Sequence, residues 1–171
     1  MRYSLFSVIP VCALMSTLAA RASVILGPTV NPQNGHKYYL LSQENWTVAE
    51  NEAVTLGGTL ATIRSSAEST FISTAFGNNR NLWIGLDDPT QDSLTTPAHA
   101  ANFAWVSGDS SSYRNWAPPE PNNGNGHNEW YTLVWGFATD VSADPTNRPS
   151  GSWNDVSDNP GSGVNLPLRC G

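Results

Sequence analysis

The chain has 171 residues, with 8 Lys+Arg against 14 Asp+Glu and a formal net charge of −6, which is the size of one ordinary domain. Charged residues make up only 13%, too few for coiled coils or salt-bridged helical bundles, and the acidic balance excludes a nucleic-acid backbone as partner because that needs clustered Lys and Arg. Seven Trp, five Tyr and five Phe supply a core and exclude disorder along the whole length.

Residues 1–22 combine a basic Arg2, an apolar run to Leu18 interrupted by Pro10, and Ala20 and Ala22 in an A-x-A arrangement, which reads as a secretory signal peptide. The run is too short to span a bilayer core of ~30 Å, so no membrane span is expected in the mature chain and the product is expected to be secreted. Cleavage after Ala22 removes Cys12, Arg2 and Arg21, leaving a more acidic chain whose single Cys170 cannot form an internal disulfide.

Residues 23–34 contain Pro28 and Pro32 without a clear period and read as an N-terminal arm or linker before a domain at 35–171. Gly35–Leu41 is strand-like. From Trp46 the apolar positions Trp46, Ala49, Ala53 and Leu56 follow a helix face, and Gly57-Gly58 stops it. Thr59–Ile63 is a β-branched run expected as a strand. Ser65 followed by Glu68 forms a capping box, after which Ala67, Phe71, Ile72, Ala75 and Phe76 line one face of a second helix that Gly77 ends. Leu82–Leu86 is an unbroken apolar run, as in a strand buried on both sides. Residues 87–101 read as a long loop, Phe103–Val106 as a strand, and 110–128 as a polar, proline-rich loop of the length usually reserved for function. Trp130–Phe137 and Trp153–Val156 are further strands, separated by a polar insertion, Ala138–Ser152, and a last strand is expected just before Gly171.

Oxygen-bearing side chains gather in the second half: Glu120, Asn122, Asn123, Glu129, Asn154 and Asp155, with Asp87, Asp88 and Asp92 upstream. Such a set suits Ca²⁺, which takes six to eight oxygen ligands at ~2.3–2.6 Å. Zinc is not expected, because a borderline metal favours Cys or clustered His and His36, His99 and His127 are far apart in sequence.

The order Trp46-x-x-Ala49, Gly57-Gly58-x-Leu60-Ala61-x-Ile63, Glu68-x-x-Phe71, Trp83-Ile84-Gly85-Leu86, Phe103-x-Trp105, Asn115-Trp116, Glu120-Pro121-Asn122-Asn123 and Trp153-Asn154-Asp155 resembles the C-type lectin domain pattern. The resemblance runs from about Gly35 to the end and implies an α+β fold, two helices flanking two small antiparallel sheets with a long calcium-binding loop region. It implies Glu120, Asn122, Glu129, Asn154 and Asp155 as Ca²⁺ ligands, with Glu120, Asn122, Glu129 and Asn154 also binding carbohydrate, since a bound hydroxyl needs both a carboxylate acceptor and an amide donor. Pro121 is expected in the cis form. The E-P-N order implies equatorial vicinal hydroxyls of the mannose, glucose or fucose type.

The chain is similar to a bacterial-type secreted variant without the family's usual disulfides: Ala53 stands at the helix position that would pair with Cys170, and the inner pair is replaced near Tyr131 and Asp158. Asn123 stands where an Asp often follows E-P-N, so Asp88 and Asp92 are read as a solvated loop and not as an auxiliary calcium site. Trp83, Trp105, Ala53 and Phe71 are assigned to the core, and Asn115-Trp116 to anchoring the loop.

The function implied is a secreted, calcium-dependent carbohydrate-binding module without catalysis. The alternative is a C-type-lectin-like module that binds protein or another surface, with calcium structural or absent. An enzyme is rejected: a Glu120/Glu129 pair could resemble a glycosidase dyad, but a shared metal would hold both ionised, and no HExxH, GxSxG or Walker signature is present. One open sugar site is weak, a Kd near 1 mM corresponding to about −4 kcal/mol, so several copies would be needed for avidity.

Overall fold

The structure, a computed structural model, describes residues 23–78, 80–95, 97–136, 149–158 and 166–170; for 125, 127 and 166–170 it describes the backbone alone. The signal peptide at 1–22, most of the insertion at 138–152 and the chain end at Gly171 lie outside the described residues.

Two four-stranded sheets carry the fold. The first has the order β1-β2-β8-β3 and the second β5-β4-β6-β7, and neighbouring strands pair antiparallel. The strands are β1 (Val24–Val30), β2 (Lys37–Leu41), β3 (Gly58–Leu60), β4 (Leu82–Asp87), β5 (Ala104–Trp105), β6 (Tyr131–Val134), β7 (Trp153–Val156) and β8 (Leu166–Cys170). The segment expected as an arm is therefore the edge strand β1. Gly27 and Pro28 interrupt the alternation by which a strand is recognised, and the pairing itself has two register shifts. Pairing with β2 overrides that weak local signal.

Helix α1 (Trp46–Thr55) starts where Asn45 accepts a hydrogen bond from the Val48 amide at 2.9 Å, and the chain leaves it through Gly57 at φ +86°, a left-handed conformation that glycine adopts without steric cost. Trp46, Ala49 and Ala53 are buried as expected, whereas Leu56 is 41% exposed because it lies past the last helical turn. The β-branched run after α1 is paired only over β3, and Ala61 to Ile63 continue as buried irregular chain. Helix α2 (Ser66–Ile72) begins at Ser65, whose side chain accepts from the Glu68 amide at 3.2 Å. The other half of the capping box is redirected. Glu68 accepts instead from the Arg64 amide at 2.8 Å and from the Tyr38 hydroxyl, tying α2 to β2. A π-helical turn (Ser73–Gly77) extends α2 and ends at left-handed Asn78, and Ala67 faces solvent. Among the described residues no helix is long and apolar enough to cross a membrane.

The unbroken apolar run of β4 has a direct cause. Leu82, Ile84 and Leu86 enter one core cluster with Tyr38, Ile63, Phe76, Val134 and Trp153, while Trp83 on the opposite face joins Trp46, Ala49, Ala53, Leu60 and Leu133. All four β4 side chains are 0% exposed, and each is worth about 1.5–3 kcal/mol of burial, which makes this strand the centre of the domain. Gly85 lies between them where β4 crosses β3. A Cβ there would sit 2.6 Å from the Leu60 carbonyl oxygen and 2.8 Å from Val106 Cγ2. Gly85→Ala is expected to lower unfolding stability by about 1–3 kcal/mol, since a backbone oxygen has little room to yield, and denaturant unfolding without calcium measures this.

Two carboxyls under the sheets are displaced from their ordinary range. Burial pushes Glu50, on α1, up to about 7, against the Leu60 amide that it accepts from and with the charge of Asp87 adding. Burial also raises Asp87 to about 6, with the charge of Asp88 adding. Each binds its proton more tightly in the fold than in the unfolded chain. Between the ordinary values of 4.5 and 3.8 and the raised ones the folded state therefore holds more protons, and stability falls as pH rises through that window. Glu50→Gln is expected to flatten this fall in thermal melts run in EDTA; an unchanged slope would count against the assignment.

Candidate functional site

The site is built on β7 and on the loop laid beside it. Trp153 is 0% exposed and stands edge-on to Trp105, Tyr113 and Trp116, with centroids 5.9, 5.6 and 5.8 Å away. The Trp153 amide donates to the Asn115 carbonyl at 2.8 Å, and the Ala117 amide to the Trp153 carbonyl at 2.9 Å. Asn115 Nδ2 donates to the Gly151 carbonyl at 2.8 Å. This ladder zips residues 115–117 onto β7, so the chain arrives at Glu120 next to Asn154 and Asp155. Cis bonds at Pro118–Pro119 and Glu120–Pro121 follow, the second being the isomer that the resemblance implied. The Glu120 and Asn122 side chains lie together, with Asn122 Nδ2 donating to Glu120 Oε2.

Four of the five expected ligands are joined by direct or one-residue links. Asp155, 0% exposed, accepts from the Asn122 amide at 3.1 Å and the Asn123 amide at 2.7 Å. Glu129, 5% exposed, accepts at Oε2 from the Gly124 amide at 2.6 Å, and its own amide donates to Asn123 Oδ1 at 3.0 Å. The short helix α4 (Gly124–His127) makes the turn between them, preceded by left-handed Asn123 at φ 49°. A Cβ on Gly124 would lie 2.7 Å from Asn122 Oδ1 and 3.1 Å from Glu129 Oε2, so these two oxygens flank one small space that only glycine leaves open. The fifth ligand, Asn154, is 6% exposed and neighbours Asp155 on β7.

Asn122 Oδ1 and Asn154 Oδ1 are buried and accept no hydrogen bond among the described residues. Leaving a buried acceptor unsatisfied costs about 1–3 kcal/mol. The donor set of two Glu, one Asp and two Asn carbonyls is all oxygen, which fits a hard divalent cation of the calcium type.

One part of the site was not foreseen from the residues. The region expected as an uninterrupted loop at 87–101 contains helix α3 (Ala98–Asn102), and Asp88, read as solvated, is 0% exposed. The reason is His99, itself 0% exposed: its Nδ1 lies 3.1 Å from Asp88 Oδ2, and its Nε2 lies 3.1 Å from Asp155 Oδ2 and 3.2 Å from the Glu129 carbonyl. Asp88, Asp92 and His99 form the one trio of His, Cys, Asp or Glu among the described residues whose ligand atoms all lie within 4.8 Å of one another. The Leu94 amide holds the Asp92 carboxyl below its usual range, against a smaller opposing effect of desolvation, and Thr90 and Asn102 add to the lowering. The signal that could have exposed α3 is Pro97 followed by Ala-His-Ala-Ala, a proline at a helix start before good helix formers.

A family profile described as "Lectin C-type domain" matches residues 42–162. The chain is 31% identical over 138 residues to the C-type mannose receptor 2 of Homo sapiens, a match covering 80% of this chain and 8% of that protein. It is 30% identical over 122 residues to Ladderlectin of Oncorhynchus mykiss, covering 69% of this chain and 54% of that one. Among solved structures it is similar to the cow C-type carbohydrate-recognition domain of CD23, crystallised in the presence of a GlcNAc2Man3 oligosaccharide, with a TM-score of 0.53, 27% identity and coverage of 72% of this chain and 78% of that one. Two antiparallel sheets, the two main helices and the profile match agree, and the chain belongs to the C-type lectin domain family.

Proposed function

We propose that the chain is a secreted carbohydrate-binding module that holds one calcium ion at Glu120, Asn122, Glu129, Asn154 and Asp155 and recognises equatorial vicinal hydroxyls of the mannose, glucose or fucose type. Domains of this family are non-enzymatic carbohydrate-binding or receptor domains. The observation that carries the calcium reading is the pair of buried amide oxygens, Asn122 Oδ1 and Asn154 Oδ1, left without hydrogen bonds among the described residues beside two glutamates. A bound cation satisfies both.

When bound, the ion supplies coordination positions for sugar hydroxyl oxygens. The chain's own part is to supply acceptors and donors around them: the glutamate oxygens accept hydroxyl protons, and the Asn122 and Asn154 amide nitrogens donate to hydroxyl lone pairs. The internal bond from Asn122 Nδ2 to Glu120 Oε2 pairs such a donor with such an acceptor in the sugar-free chain. Vicinal hydroxyls would take over both halves of that pair. Secretion rests on the leader at 1–22, and glycan avidity on several copies acting together.

The test is retention on a mannose column in calcium. Binding is expected to disappear with EDTA and with Glu120→Gln or Asn122→Asp. Retention that survives metal removal rejects the reading, and calcium stabilisation with a blank glycan array favours a protein- or surface-binding module instead.

A further inference from the structure

The carboxylates next to the proposed calcium site are already engaged by polar groups of the chain itself. Asn102 Nδ2 lies 3.2 Å from Asp88 Oδ2, 3.0 Å from Thr90 Oγ1 and 3.1 Å from Asp92 Oδ2. The two hydrogens of that amide nitrogen are shared among three oxygens at N–H···O range, whereas a calcium shell requires ~2.3–2.6 Å. His99 bridges the same Asp88 to Asp155 with one ring nitrogen on each, both at 3.1 Å. The Thr90 amide and hydroxyl cover Asp88 Oδ1 at 2.9 and 2.7 Å. Around the cluster Asn123 Nδ2 donates to the carbonyls of Asp92 and Leu94 at 3.3 and 2.7 Å, and Trp130 Nε1 to that of Asp92 at 3.0 Å. The ring of His99 is held edge-on by Phe103 at 4.8 Å, which in turn meets Trp116 at 5.0 Å. The end of β4, α3, β7 and residues 122–123 are thereby linked into one unit through buried groups, where an uncompensated carboxylate would cost several kcal/mol.

We propose that His99 and Asn102 are positioning residues whose side-chain nitrogens occupy the place of a second cation, so that Asp155 and the 122–123 turn are ordered before any metal arrives and the chain takes one calcium ion rather than two. This rests on the reading of Asp155 as a calcium ligand. The physical benefit is preorganisation: ordering of the loop is completed in folding and does not have to be supplied by the ion.

The experiment compares wild-type chain, Asn102→Asp and His99→Gln by calorimetric titration with calcium chloride alone and by thermal melts in EDTA and in calcium. Wild type is expected to bind one ion per chain. Asn102→Asp exchanges the donor for a carboxylate of the same shape beside Asp88 and Asp92, so it is expected to melt lower in EDTA, to recover in calcium and to bind one ion more than wild type. His99→Gln removes the ring that spans Asp88 and Asp155 and is expected to weaken calcium about tenfold or more at unchanged stoichiometry, as loss of a group supporting a ligand does. Two ions in wild type, no added ion in Asn102→Asp, or an unchanged affinity in His99→Gln would each overturn the proposal. If wild type binds no calcium, the five-ligand reading fails by itself. The filling of a second cation position by Asn102 then stands only if Asn102→Asp gains one ion, and falls if it gains none.

Discussion

Asp155→Asn is expected to cost the fold about 1–3 kcal/mol, the range for leaving buried hydrogen-bonding groups without their partner, and to abolish calcium binding as well. The carboxylate is 0% exposed; it accepts from the amides of Asn122 and Asn123, and His99 Nε2 lies 3.1 Å from its Oδ2. An amide side chain turns one of its two acceptors into a donor and so sets N–H against N–H. Against a total stability of about 5–15 kcal/mol for a domain, the loss is large enough to read in urea unfolding performed in EDTA, with no metal contributing. The comparison is Asp109→Asn, whose carboxylate pairs with Arg64 at 2.6 Å where both side chains are partly exposed, 32% and 24%. Pairs open to solvent are worth about 0–1 kcal/mol. Equal losses at the two positions would mean that the buried unit around Asp155 does not stabilise the domain.

Gly124→Ala is expected to do the reverse: to leave the fold intact and weaken calcium by about a hundredfold, the upper end of what losing a supporting contact costs. The added methyl would meet Asn122 Oδ1 at 2.7 Å and Glu129 Oε2 at 3.1 Å, both of them tips of side chains that can swing aside at small cost. Swinging aside is what removes them as ligands. Gly124 is not among the residues with positive φ, so alanine introduces no backbone strain, and the melting temperature in EDTA should stay level or rise slightly as unfolded-state entropy falls. Calorimetric titration and EDTA melts on one preparation separate the two effects. A calcium affinity equal to wild type would show that the space beside Gly124 is not the metal position.

The elements that sequence patterning predicts well are those whose cause is local. The 3-4-3 spacing from Trp46, the Ser65 cap and the bare apolar run of Leu82–Leu86 each depend on neighbours within a few residues, and α1, the start of α2 and β4 appear where they were expected. β1 was not legible because Gly27 and Pro28 break its alternation, and only the antiparallel partner β2 makes it a strand. Ala67 follows the helical period but falls outside the covered face, since period alone does not say how wide a stripe will be covered, and Leu56 keeps the period but lies past the end of α1.

Residue types and order determined the kind of chemistry available here: an acidic chain, one family pattern, and an oxygen-only set at Glu120, Asn122, Glu129, Asn154 and Asp155 suited to a hard cation. Tertiary structure decided which carboxylates remain open to a ligand and which are consumed by the fold. Asp88 and Asp155 meet across 67 residues only because His99 stands between them, and Asn102 closes on Asp88 and Asp92 only because α3 turns it inward. Such contacts depend on long-range packing that brings buried charges to donors, a constraint with no period and no short spacing, and therefore no trace along the chain.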